Sequence, residues 1–102
     1  MSESEEDKTI DGLEDARRAI NDIDRRMAAL FCERMEAVQR IASYKAKNGL
    51  PIYDRQRERQ VIDANAARVS QHLRPYYVRF LENTMDVSKS YQLDLIENPN
   101  ED

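Results

Sequence analysis

From about Leu13 to Asn48 the chain holds neither proline nor glycine. Apolar or small residues return there every three to four places: Leu13, Ala16, Ile20, Ile23, Met27, Leu30, then Ala37, Ile41 and Tyr44. A sustained period near 3.5 describes one long helix with an apolar seam laid against partners. Such a run predicts about 35 helical residues, about 50 Å at 1.5 Å per residue. A chain of 102 residues is one domain at most, with a modest core. It cannot cover so long a seam unaided, so a second copy of the chain is expected, giving a homodimer. One place on the seam breaks the pattern. Between Leu30 and Ala37 stands Arg34, and a guanidinium in a buried seam is costly unless an anion meets it. Lys45 returns to nearly the same face, and Arg17 borders the stripe near its other end. Cations set into an apolar face point to a small anionic ligand.

The net charge of −4 argues against nucleic acid or an anionic membrane surface as partner. It conceals a basic middle, Arg17 to Arg59, between acidic ends. The single cysteine, Cys32, excludes an intrachain disulfide or a zinc cluster, and its place in the helical pattern reads as a small buried hydrophobe. No apolar run approaches the roughly 20 residues of a membrane span, and the polar N-terminus is unlike a secretory signal. A cytoplasmic protein is expected.

Residues 1–11 lack periodicity and are expected to form a disordered acidic tail. Asp11 would cap the first helix, with Glu14 at capping-box spacing. Asn48-Gly49-Leu50-Pro51 ends that helix, since Gly49 supplies a left-handed cap and Pro51 cannot continue the turn. Asp54 would cap a second helix reaching about His72, with Val61, Ile62, Asn65, Ala66 and Val69 facing inward and Glu58 one step back on the same face. Leu73-Arg74-Pro75 makes the next break, and Pro75 suits the first turn of a third helix. Its inward row reads Tyr77 or Val78, Leu81, Met85, Ser88, Gln92 and Leu95. Residues 97–102 form a second acidic tail, leaving 12–96 as the helical domain. The fold class is all-α, one long helix and two shorter ones.

Arg34, Lys45, Glu58, Ser88 and Gln92 are thus polar residues on core faces. Each has an ordinary explanation: Arg34 could pair with Glu58, Lys45 could snorkel to solvent, and Ser88 and Gln92 could mark a fraying helix end. Together they describe a pocket of cations, a carboxylate and neutral hydrogen-bonding groups. His72, the one histidine, sits at a helix end and reads as surface. There is no nucleophile signature and no glycine-rich phosphate loop. Neither metal nor cofactor is expected. Chemistry here would proceed by positioning and electrostatics.

Arg17-x-x-Ile20-x-x-Ile23-Asp24, Glu33-Arg34, Lys45, Asp54-x-x-Arg57-Glu58-Arg59 and Ser88-x-x-x-Gln92 closely resemble the all-α, type II chorismate mutases, over about Leu13 to Leu95. The resemblance implies an intertwined homodimer in which two active sites borrow residues from both long helices. It also implies roles. Arg34 and the other subunit's Arg17 would bind the two carboxylates of chorismate. Lys45 and Gln92 would hydrogen-bond the ether oxygen, Glu58 and the backbone near Asp54 the ring hydroxyl. Ser88 would assist at the ring carboxylate, Arg57 would support the anion-binding side, and Ile41 and Met85 would pack around the substrate. Lys89 stands where some members carry an apolar residue, which would make the site's edge more polar. Geometry supports the borrowed arginine independently: Arg17 and Arg34 lie about 25 Å apart along one helix, too far for one small ligand to span. The alternatives are isochorismate pyruvate lyase or 4-amino-4-deoxychorismate mutase on the same fold, or a non-enzymatic dimeric helical module that binds a protein. Asp54 and Glu58 favour the mutase over the lyase.

Overall fold

The computed structural model describes residues 5–97, with side chains from residue 11. Among these residues the chain is all-α and without strands: α1 (Glu5–Lys47), α2 (Arg55–Ala66) and α3 (Arg74–Glu97), with a 3₁₀ turn at Gln71–Leu73 before α3. The chain divides into a unit ending at Arg34 and a unit beginning at Met35.

The described part of the first unit is helix. Its apolar stripe is open to solvent within the single chain: Leu13 is 49% exposed, Ile20 54% and Leu30 62%. Cys32 is exposed as well, not buried as its pattern suggested, because it shares this uncovered stretch. Helix α1 starts at Glu5, so Asp11 lies inside it and is not the expected cap. Residues 5–10 of the expected disordered tail are helical. No proline stands among them, and adding residues to a formed helix is far easier than nucleating one. Residues 1–4 and 98–102, also expected to be disordered, lie outside the described part.

The second unit holds the core: Val38 and Ala42 on α1, Leu81 and Met85 on α3. The inward row on α1 therefore runs one position round the helix from the expected one. Ile41 and Tyr44 remain 48% and 63% exposed. Seven residues of helix carry two adjacent apolar rows here, and the row with the smaller side chains is the one buried within the chain.

The break after α1 follows its sequence closely. Gly49 takes φ +64°, the left-handed region that glycine enters without a Cβ penalty. The Leu50 N–H then reaches back to the Lys45 carbonyl at 2.9 Å, and the Asn48 N–H and side-chain Nδ2 both reach the Tyr44 carbonyl. Asp54 caps α2 from extended backbone, its Oδ1 accepting the Arg57 N–H at 3.0 Å.

Helix α2 stops at Ala66, short of the expected His72. The Arg68 and Val69 N–H groups bond to the Asn65 and Ala66 carbonyls, i to i−3 contacts that tighten the chain out of the α form. The Asn65 side chain also donates to the Val61 carbonyl at 2.8 Å, competing with the helix's own ladder. His72 falls in the 3₁₀ turn and is exposed. On α3, Pro75 occupies the first turn as expected. The buried row reads Leu81, Met85, Ser88, Gln92, with Tyr77, Val78 and Leu95 half-buried.

Because the Asp54 carboxylate satisfies one otherwise orphaned N–H, Asp54→Ala should lower stability by about 1 kcal/mol. Asp54→Asn should restore most of it. Urea unfolding of the three proteins checks this.

Candidate active site

The residues expected to carry chemistry fall on both units. Arg17 and Arg34 belong to the first and are exposed there. Arg17 pairs with Glu14 at 3.4 Å, a contact between two well-exposed side chains that contributes little and leaves the arginine available to a stronger anion. Lys45, Asp54, Arg57, Glu58, Ser88 and Gln92 belong to the second unit, and there a chain of contacts through Ile52, Tyr53 and Lys89 connects Lys45 with Glu58.

Half-buried Lys45, near the end of α1, donates from Nζ to the Ile52 carbonyl at 3.0 Å. An ammonium has three donors, so the bond fixes the amine and leaves further N–H groups for a ligand. The next residue, Tyr53, lies with its ring centroid 4.6 Å from Lys89 Nζ. Lys89 in turn pairs with Glu58 Oε1 at 3.1 Å and with Asp86 Oδ1 at 3.5 Å. Arg55 Nε donates to the Tyr53 hydroxyl at 2.7 Å and holds the ring from its other end. The loop, the first turn of α2 and the middle of α3 therefore meet around one ammonium.

On α3, Ser88 and Gln92 continue the buried row of Leu81 and Met85 one helical turn apart. Ser88 Oγ donates to the Thr84 carbonyl at 2.9 Å. Gln92 is 7% exposed, and its Oε1 is buried with no hydrogen-bond partner among the described residues. An unsatisfied buried carbonyl is costly. A half-turn of the amide exchanges that oxygen for the Nε2 donor, so the same place can offer either group.

A cleft of about 440 Å³ opens between α2 and α3, bordered by Arg55, Glu58 and Arg59 on one side and Glu82, Met85 and Asp86 on the other. Of the expected site residues it takes in Glu58, with Met85 also in its lining. Sequence reasoning gave Tyr53 no role and treated Lys89 only as a polar edge. Their proximity to Glu58 arises from packing between segments remote in sequence, which helical spacing does not encode.

The hydrogen bond to Glu58 raises the pKa of Lys89 above the ordinary 10.5. Partial burial opposes the rise, and the charge of Glu58 together with the hydrogen bond and charge of Asp86 reinforces it. The ammonium is thus held charged by its carboxylate neighbours.

Residues 16–93 match the family model described as chorismate mutase type II. The T-protein of Haemophilus influenzae is 36% identical over 55 residues, which make up 54% of this chain and 15% of that protein. The chain thus spans about 15% of the length of the curated relative it matches. No solved structure matches. None of the described helices is long and apolar enough to cross a membrane.

A folded-state pKa raised above the unfolded one stabilises the fold fully below the unfolded value, and the gain fades as pH climbs through the folded value. The melting-temperature difference between the wild type and Lys89→Met should therefore hold steady below about pH 9 and shrink above 10.5. Thermal melts of both proteins across the alkaline range measure it.

Proposed function

The chain belongs to the type II chorismate mutase family, and on that premise we propose that it rearranges chorismate to prephenate, as a cytoplasmic homodimer serving phenylalanine and tyrosine synthesis. The reaction is an intramolecular Claisen rearrangement: the ether carbon–oxygen bond breaks as a carbon–carbon bond forms between side arm and ring. It needs no proton transfer and no covalent intermediate. The protein's part is to hold the arm over the ring in its reactive conformer and to place donors where negative charge grows on the ether oxygen.

Lys45 and Gln92 take the ether oxygen. Its charge grows as the bond stretches, so a cation aimed there favours the transition state over bound substrate, which is what raises turnover. Arg34 and the other subunit's Arg17 hold the two carboxylates, and Ser88 assists at the ring carboxylate. Glu58 and the backbone at Asp54 receive the ring hydroxyl, and Arg57 supports the anion-binding side. The observation that carries this reading is Gln92, a buried amide with an unpartnered atom, and it is supported by Lys45, a half-buried ammonium anchored through one of its N–H groups. A buried polar atom left without a partner calls for an explanation, and a ligand supplies one here.

The dimer is supported by two features of the first unit. Its apolar stripe from Leu13 to Leu30 is uncovered within one chain, and a row of large hydrophobes at heptad-like spacing is what a partner helix buries. Arg17 and Arg34 lie on one helix about 25 Å apart, so one ligand can meet both only if they come from different chains.

Purified protein given chorismate should yield prephenate, while isochorismate given in parallel should yield no pyruvate. Chromatographic identification of the products decides between mutase and lyase, and inertness toward both would leave the 4-amino-4-deoxychorismate mutase or the helical interaction module. Arg17→Ala and Arg34→Ala dimers should each lose about a hundredfold or more in kcat/KM, as when a preorganised charged contact is removed. Unfolding and refolding them together should recover part of the activity, because one site of each heterodimer then has both arginines intact. Isolated heterodimers that stay as inactive as their parents would overturn the shared site.

A further inference from the structure

Lys89 engages three side chains of the second unit at once. It meets Glu58 at 3.1 Å, Asp86 at 3.5 Å and the ring of Tyr53 at 4.6 Å. The two members of the closest pair are comparably shielded, Lys89 with 25% and Glu58 with 24% of the side chain exposed, whereas Asp86 is 70% exposed. Solvent therefore screens Asp86 strongly, and the Lys89–Glu58 pair is close to neutral as seen by a neighbouring ligand. The pair is bonded through Glu58 Oε1, while a carboxylate has acceptor capacity on both oxygens. Glu58 thus keeps an acceptor for a ligand donor, but with most of its charge already answered.

Resting on the reading above, in which Glu58 receives the ring hydroxyl, we propose that Lys89 is a positioning residue that makes the site select a neutral hydroxyl over an amine at that ring position. A hydroxyl donor needs only a lone pair, and Glu58 offers one. An amine is protonated at neutral pH and would place a second ammonium beside the first. An unanswered carboxylate would attract that cation, and Lys89 removes the attraction by occupying it. Discrimination of this kind comes from a repulsive element built against the wrong ligand. Tyr53 steadies the arrangement: a cation over an aromatic face is held without a hydrogen bond, so the ammonium stays aimed at Glu58.

The test compares wild type, Lys89→Met, Lys89→Gln and Lys89→Arg, each shown to be folded by its thermal melt. Two quantities are read: KM for chorismate, and the inhibition constant of the analogue carrying an amine in place of the ring hydroxyl. Removing the charge should shift the ratio of these constants about tenfold toward the amine, the size of a like-charge penalty at a partly screened site. Lys89→Arg keeps the charge and should keep the wild-type ratio. A purely structural role would weaken both ligands alike, so an unchanged ratio in Met and Gln variants that still turn over chorismate overturns the proposal alone. A wild type that does not convert chorismate overturns the reading of Glu58 and this inference together.

Discussion

The turn between α1 and α2 governs everything that follows it. Gly49 reverses the chain through a left-handed residue, Pro51 forbids the helix from continuing, and Asp54 starts α2 with its own carboxylate as cap. These local choices agree with one another, and their product is geometric. They return the chain so that the Lys45 amine meets the Ile52 carbonyl, and they deliver Tyr53 and Glu58 to the same ammonium on α3. With the turn opened, the Lys45–Ile52 bond would have no means of forming, since no other described feature fastens Lys45 to the loop.

The second unit is stabilised by few buried hydrophobes, and its α3 row ends in Ser88 and Gln92 where continued leucines would have packed more favourably. The serine compensates within its own helix by bonding to the Thr84 carbonyl. The glutamine does not compensate fully, because Oε1 stays unpartnered. Burial of such groups trades stability for chemistry, and a family whose reaction proceeds by orientation and electrostatics gives a physical reason for the trade.

What could be read from residue order divides along the line between local and non-local interactions. The helical period, the glycine stop, the aspartate cap, the proline in the first turn of α3 and the inward row from Leu81 to Gln92 are all set within a few residues of one another, and each was legible. The end of α2 is an exception among local features: Asn65 turns its side chain onto the Val61 carbonyl, and apolar spacing alone does not distinguish that from a helix that continues. The choice of Val38 and Ala42 over Ile41 and Tyr44 was equally hidden: both rows are apolar, and only the neighbouring surfaces decide which one is covered. Among the candidate site residues, their identity came from spacing and resemblance. The tie between Glu58 and Lys89 joins helices separated by a loop and a 3₁₀ turn, and no periodicity could reveal it.

The Lys45–Ile52 bond has a consequence for how such a chain can change over evolutionary time. Surface connections usually absorb insertions and deletions readily, since little depends on their length. This one is fastened at one end by the amine and, a residue later, by the ring beneath Lys89. It behaves as a spacer of fixed length. One added residue would carry Tyr53 away from its ammonium or draw Lys45 from its carbonyl. The segment from Gly49 to Asp54 is thus free to vary in residue type at its outward positions, but its length is locked.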